Sequence, residues 1–265
     1  MTDITPAKEV KRLRDATGAG MMDAKRALVE NEGDFDSAAK WLREKGLGKA
    51  AERTDRQNTE GAVAVARDGG AAALVALKCE TDFVAKSPDF VALANELAEL
   101  VAQSGEGAAA ERQADIDNLK ITLKENIELG EVVRVEAAEG EILDTYQHVQ
   151  GGRGVNGVAV VIAGGSEELA HDVAVHIAFG KPRYLSRDDI PPAVLEEERA
   201  TFENQARNTG KPQAALPKIA EGMLSGWVKE RTLLEQGFAK DDKLTVQQVL
   251  GGARVVRFAQ VIVGG

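Results

Sequence analysis

Residues 61–79 read GAVAVARDGGAAALVALKC. Two apolar, β-prone runs flank Asp68-Gly69-Gly70, and glycine at such a turn supplies the positive φ that a tight hairpin needs. The stretch predicts two antiparallel strands. A helix signal follows: Ser87 is an expected N-cap, Pro88 suits the first helical position, and Phe90, Leu93, Leu97 and Leu100 share one face. Strand, strand, helix is therefore the opening unit of a core.

That unit is expected to continue with a helix at about 115–129, carrying Ile116, Leu119, Leu123 and Ile127, and then a strand over 131–141. The order recurs downstream. Residues 141–150 and 154–165 read as strands around Gly-rich turns, SEELAHDVAVHIAFG (166–180) as a helix capped by Ser166, and ARVVRFAQVIVGG (253–265) as a closing strand. VVRVEA (132–137) and VVRFAQ (255–260) share a local pattern, which fits two related units. Between them, about 187–230 reads as an inserted helical hairpin. Its first helix is apolar at Val194, Leu195, Phe202 and Ala206, and its second at Leu216, Ile219, Met223, Leu224 and Trp227. Gly210 and Pro212 punctuate the NTGKP joint. Stripes this thin suit a hairpin that pairs with itself or with a second subunit.

Upstream, residues 1–55 predict three short helices. Thr5-Pro6 opens the first, with Val10 and Leu13 facing inward. The second presents Ala24, Ala27 and Leu28 and stops at Gly33. Asp34 caps the third, whose Phe35, Ala38, Ala39, Trp41 and Leu42 are apolar and which is expected to end before Gly46. ERTDRQNTEG (52–61) is polar and without period, a linker. The expected fold class is α+β: a three-helix N-terminal bundle (1–55), then a core of two related antiparallel-sheet-plus-helix subdomains (56–140 and 141–265), the second holding the hairpin.

Composition narrows the function. With 33 Lys+Arg against 43 Asp+Glu the net charge is −10, and only the first fifty or so residues lean basic, so a general nucleic-acid or membrane-surface role is not expected. No apolar run reaches the length of a spanning helix, and the first residues show no signal or transit peptide. The single cysteine, Cys79, excludes an internal disulfide and suits a cytoplasmic location.

Enzyme chemistry finds little support. His171 and His176 are five apart, off the i, i+4 spacing of a two-His metal site; His148 is alone. Cys79 ends an apolar strand as a small hydrophobe. GGRGVNG (151–157) lacks the Lys-Ser/Thr of a phosphate loop. Asp188-Asp189 and Asp241-Asp242 read as turns and helix starts. No nucleophile, base and orienting group come together, and neither a metal site nor a cofactor is expected. Contact features are clearer. Met21 and Met22 are adjacent on a thin helix, so both can hardly be buried; Arg14 precedes their loop by one turn. In KCETDFVAKS (78–87), Thr81 or Asp82 suits the cap of a single helical turn. Polar neighbours then favour an outward Phe83, the alternative being a ring folded under the sheet.

LRDATGAGMMDAKRAL (13–28), GDFDSAAKWLREKG (33–46), KCETDFVAK (78–86), NIELGEVVRV (126–135) and DTYQHV (144–149), in this order, resemble the translation elongation factor Ts family over nearly the whole chain. The resemblance implies a ubiquitin-associated-like bundle at the N-terminus. It also implies a guanine-nucleotide exchange factor that acts on elongation factor Tu carrying GDP, does no covalent chemistry and binds no nucleotide itself. On this resemblance Asp82 and Phe83 push toward the partner's magnesium and phosphate site, with Thr81 and Val84 completing the motif. Arg14, Met21 and Met22 grip a helix of the same partner domain, His148 meets a distal domain, and Phe238 is a further contact. Lys240 departs from the apolar residue expected beside it. The hairpin is the candidate surface for a homodimer. Two other classes stand beside this reading: an adaptor whose bundle binds helices or peptides, and a small enzyme using Cys79 or His148.

Overall fold

The computed structural model describes residues 7–51, 53, 55–208 and 210–264; the expected Thr5-Pro6 start lies outside them. Three helices come first, α1 (Ala7–Thr17), α2 (Met21–Glu30) and α3 (Phe35–Ala51). Val10, Leu13, Ala24, Ala27, Leu28, Ala38 and Leu42 form their small common core. The Asp34 carboxylate accepts from the Ser37 N–H at 2.8 Å, capping α3.

The core begins with β1 (Glu60–Asp68) and β2 (Ala71–Cys79), then α4 (Asp82–Ala85), α5 (Pro88–Ser104), a 3-10 segment, α6 (Gln113–Leu123) and β3 (Ile127–Glu136). The second half runs β4 (Glu141–Gln150), β5 (Arg153–Ala163) and α7 (Glu167–Gly180). Next come the hairpin α8 (Pro192–Arg207) and α9 (Leu216–Arg231), then β6 (Gly237–Phe238), β7 (Asp241–Thr245), α10 (Val246–Leu250) and β8 (Arg254–Ile262). The larger sheets are antiparallel, in the orders β1-β2-β3 and β4-β5-β8. Asp68 pairs with Ala71, leaving Gly69-Gly70 as the turn, with Gly69 at φ +54°.

The two sheets pack face to face. Val63, Ala72, Leu74, Ala76, Ala159, Val161 and Val261 fill the space between them. The alternate residues Ala73, Val75 and Leu77 of β2 face α5, while Val158, Val160 and Ile162 of β5 face α7. Helix, sheet, sheet and helix thus stack in layers. This explains why AAALVAL lacks alternation: a central strand covered on both faces has no solvent side. Polar bonds also cross between the sheets. The Gln147 amide donates to the Val63 carbonyl at 2.7 Å, and the buried Arg153 guanidinium donates to the Gly61 carbonyl and the Glu60 carboxylate, each at 2.5 Å.

Four local readings change. Gly46 does not end α3, which continues to Ala51. A Cβ at Gly46 would lie 2.7 Å from Ile121 Cγ2, so this glycine lets α3 lie against α6; Arg53 Nη1 also donates to the Lys120 carbonyl at 3.2 Å. The bundle is therefore seated on the core. Ile127 is not helical: α6 stops at Leu123, Lys124 takes φ +60°, and Ile127 opens β3 opposite Cys79. Ser87 holds the N-cap position of α5 without a side-chain capping bond. On α5 itself, Val101 is fully buried where Leu100 is half-buried, because Phe90, Leu97 and Val101, at i, i+7 and i+11, share the centre of one face and Leu100 lies at its edge.

The hairpin packs part of its stripes against each other and against its own base, while Leu216, Ile219 and Met223 are half-buried. Leu224, Val228 and Ile190 pack with Val194, Leu195, Phe202 and Trp227. The Arg183 and Tyr184 N–H groups both donate to the Arg231 carbonyl, closing the base.

Candidate functional site

Pairing of Cys79 with Ile127 sets residues 80–81 beside residues 125–126. Thr81 has extended backbone, φ −124° and ψ 155°, and its hydroxyl accepts from the Val84 N–H, which starts the single turn α4. Val84 tucks its side chain against the core, and Ala85 is buried. Phe83 points the other way and is 82% exposed. The ring does not fold under the sheet, because Val84 and Ala85 already occupy the inward side of so short a turn. Asp82 pairs with Lys86 at 2.6 Å, and that hydrogen bond holds its carboxyl below the ordinary value. Lys86 in turn lies over the β4–β5 turn, where a Cβ on Gly151 would stand 3.0 Å from its Cε.

Cys79 lies beneath this turn. Burial, then the nearby Glu125 carboxylate, push its thiol up to about 12, and the S–H donates to the Thr81 carbonyl at 3.2 Å. A thiol this reluctant to ionise supports the loop and is no nucleophile.

The other expected residues divide between surface and interior. Met21 and Met22 are 48% and 71% exposed at the start of α2. Arg14 is half-buried and pairs with Asp15 at 2.5 Å. His148 is exposed near the end of β4, opposite Asn156. It lines a groove of about 510 Å³ with Tyr146, Asn156, Phe179, Lys181 and Ile262. Phe238 is a correction. It is 5% exposed, packed in the core over the His176 ring at 5.7 Å, so its ring is not offered to a partner. Lys240, two residues on, pairs with Asp172 at 2.5 Å at the surface.

Sequence reasoning missed three contributors. Phe179, 77% exposed, adds apolar surface to the groove lined by His148, and Val149, 56% exposed, follows His148 on β4. A large residue at the last turn of a helix before Gly180 was the available signal. Glu125 accepts three hydrogen bonds from Glu80 and Thr81. Its partners lie far upstream in the chain, and no local pattern announces them.

Among the described residues no group of three or more His, Cys, Asp and Glu could hold a metal ion, and no helix is long and apolar enough to cross a membrane.

Comparison with known proteins supplies a family. The model described as Elongation factor TS matches residues 80–265. Proteins named Elongation factor Ts are similar along nearly the full length. One from Clavibacter michiganensis subsp. michiganensis is 43% identical, covering 97% of this chain and 98% of its own. One from Thermobifida fusca is also 43% identical, with 97% and 98% covered, and one from Deinococcus radiodurans is 40% identical, with 97% and 99% covered.

Proposed function

The chain belongs to the elongation factor Ts family, and from that premise we propose that it binds elongation factor Tu carrying GDP and speeds release of the nucleotide. The observation that carries the mechanism is the 82% exposed Phe83 on a capped turn beside Asp82. An aromatic ring exposed this far gains by entering an apolar cleft, and its backbone is already ordered, so little entropy is lost on docking. The Asp82 carboxylate, whose pKa the Lys86 hydrogen bond lowers further, brings negative charge to wherever the ring goes.

Exchange of this kind is coupled binding. A factor that holds the nucleotide-free partner more tightly than the GDP-bound partner must weaken GDP by the same ratio. Contacts to magnesium and phosphate keep the switch elements of GTP-binding proteins in place. A wedge that displaces an element supporting the metal loosens GDP without touching it. Met21, Met22 and Arg14 on the bundle, and His148 on β4, supply separate grips. Binding energy gathered there is available to drive the distortion at Asp82-Phe83. No covalent step is involved.

The test is release of a fluorescent GDP analogue from elongation factor Tu, with and without this protein. Acceleration at catalytic amounts of the protein is expected; an unchanged release rate overturns the reading. Binding without acceleration would favour an adaptor acting through the three-helix bundle.

A further inference from the structure

We propose that Glu125 is the positioning residue of the Asp82-Phe83 turn, and that through it the turn and the N-terminal bundle are held as one piece. The inference rests on the exchange reading above and deepens it.

A single helical turn has almost no stability of its own, since one or two hydrogen bonds cannot offset the dihedrals they fix. Something outside α4 must hold it. Glu125 supplies that hold with both carboxylate oxygens. Oε1 accepts from the Thr81 hydroxyl at 2.6 Å, and Oε2 accepts from the Glu80 and Thr81 N–H groups at 3.2 and 3.1 Å. The lock is reciprocal, because the Glu80 carboxylate accepts from the Asn126 N–H at 2.7 Å. By accepting the hydrogen bond from the hydroxyl, Glu125 also turns the Thr81 oxygen lone pairs toward the Val84 N–H, at 3.4 Å. The cap on α4, and therefore the direction of Phe83, depends on a carboxylate that is not in the loop. The other side-chain ties of this stretch are the Cys79 S–H to the Thr81 carbonyl at 3.2 Å, Arg56 to the Glu80 carboxylate at 3.3 Å, and the surface pair Asp82–Lys86, a weak constraint.

Glu125 follows directly on α6 and the left-handed Lys124. The same helix receives the bundle at Ile121, against Gly46, and at the Lys120 carbonyl, bonded by Arg53. α6 is thus a strut with the bundle seated on its last turns and the clamp on the wedge just beyond its end. Bundle contacts and wedge are presented to a partner at a set spacing.

The isosteric variant Glu125→Gln tests this, because an amide keeps one acceptor oxygen where the carboxylate uses two, so either the Thr81 hydroxyl or the pair of N–H groups loses its acceptor. In the full-length chain alone, amide hydrogen exchange at Glu80 and Thr81 is expected to quicken by about tenfold or more. In GDP-analogue release from elongation factor Tu, the maximal rate is expected to fall about tenfold, with the half-saturating concentration within about twofold of the parent. Unchanged amide exchange overturns the clamp. Faster amide exchange with an unchanged maximal rate overturns the positioning role, as does a loss confined to the half-saturating concentration. If Glu125→Gln does not fold, Glu125→Asp carries the same readouts, with a smaller loss expected because a carboxylate remains on a shorter stem. A parent protein that fails to release GDP sinks the exchange reading instead, and the amide measurement still reports on the clamp.

Discussion

The two halves of the core solve the same corner differently. In each, a central strand buried on both faces hands over to the long helix that covers its sheet. In the second half the handover is short: Gly164 and Gly165, at φ +76° and +82°, turn the chain straight from β5 into α7, and Ser166 caps it by accepting from the Leu169 N–H. In the first half residues 80–87 intervene between β2 and α5, adding α4, an outward Phe83 and a clamp from Glu125. One corner is built to close; the other is built to present. A repeated scaffold can carry different work where a few extra residues are held by groups from elsewhere in the fold. The second half places its own additions, the α8–α9 hairpin and β6–β7, after α7 instead.

The contrast predicts that substitutions at the first corner change exchange and those at the second change stability. The largest effect is expected for Phe83→Ala, a truncation of a fully presented ring. GDP-analogue release should slow about 30-fold, the size of a 2 kcal/mol hot spot, while thermal melting stays within about 0.5 kcal/mol of the parent. A collapse of melting would mean the ring supports the fold and would erase the contrast.

Gly165→Ala is the counterpart. Its Cβ would meet Leu169 Cδ2 at 2.9 Å, in a backbone conformation unfriendly to L-residues. A loss of roughly 1–2 kcal/mol in denaturant unfolding is expected, with exchange unchanged at temperatures where the protein is folded. Slowed exchange in a folded sample would show that the second corner serves the partner too.

The second half also contains a buried, hydrogen-bonded imidazole. His176 Nε2 lies 3.0 Å from Gln236 Oε1 and Nδ1 accepts from the Ala239 N–H at 3.1 Å, an arrangement suited to a neutral imidazole. Burial pushes its pKa below the usual 6.5, against the smaller upward pull of Gln236. The unfolded chain therefore takes up a proton that the folded chain refuses. Stability is expected to fall as pH drops below about 6.5, with this residue adding a slope of at most about 1.4 kcal/mol per pH unit. Urea unfolding between pH 7 and 5 measures it, and His176→Gln should flatten that part of the dependence. An equal slope in the variant would assign the effect to other groups.

The smallest effect belongs to Lys86→Met. The Asp82–Lys86 pair is exposed, so melting should shift by less than about 0.5 kcal/mol. If exchange also holds within about twofold, Lys86 is incidental to aiming Asp82 and the work of positioning rests on Glu125. A large loss of exchange would move that work to the loop's own ion pair.

Much of the fold was legible because it is written in neighbouring residues. The 61–79 hairpin, most of the buried face of α5, the capped helix α7, the three N-terminal helices and the inserted hairpin follow from periodicity and caps that span a few positions. The outward Phe83 was legible as a preference, through its polar neighbours. Met21 and Met22 were legible by geometry alone, since adjacent positions on one thin helix cannot both turn inward.

What the tertiary structure decided are the roles that depend on a distant partner. Gly46 resembles a helix stop, and becomes a seat only because Ile121 arrives against it. Ile127 continues a helical pattern by spacing, yet pairing with Cys79 draws it into a strand. Phe238 looks like a surface contact in its own segment, and the ring of His176 and the second sheet's core enclose it. Glu125 is one more carboxylate in an acidic chain until strand register brings it against Thr81. Local preference acts through the next turn or the alternate residue, so the sequence alone determines elements and their faces. Contacts between residues tens of positions apart form only when the sheets and helices pack, and those contacts settle which glycine is a joint, which ring is buried and which carboxylate holds the wedge.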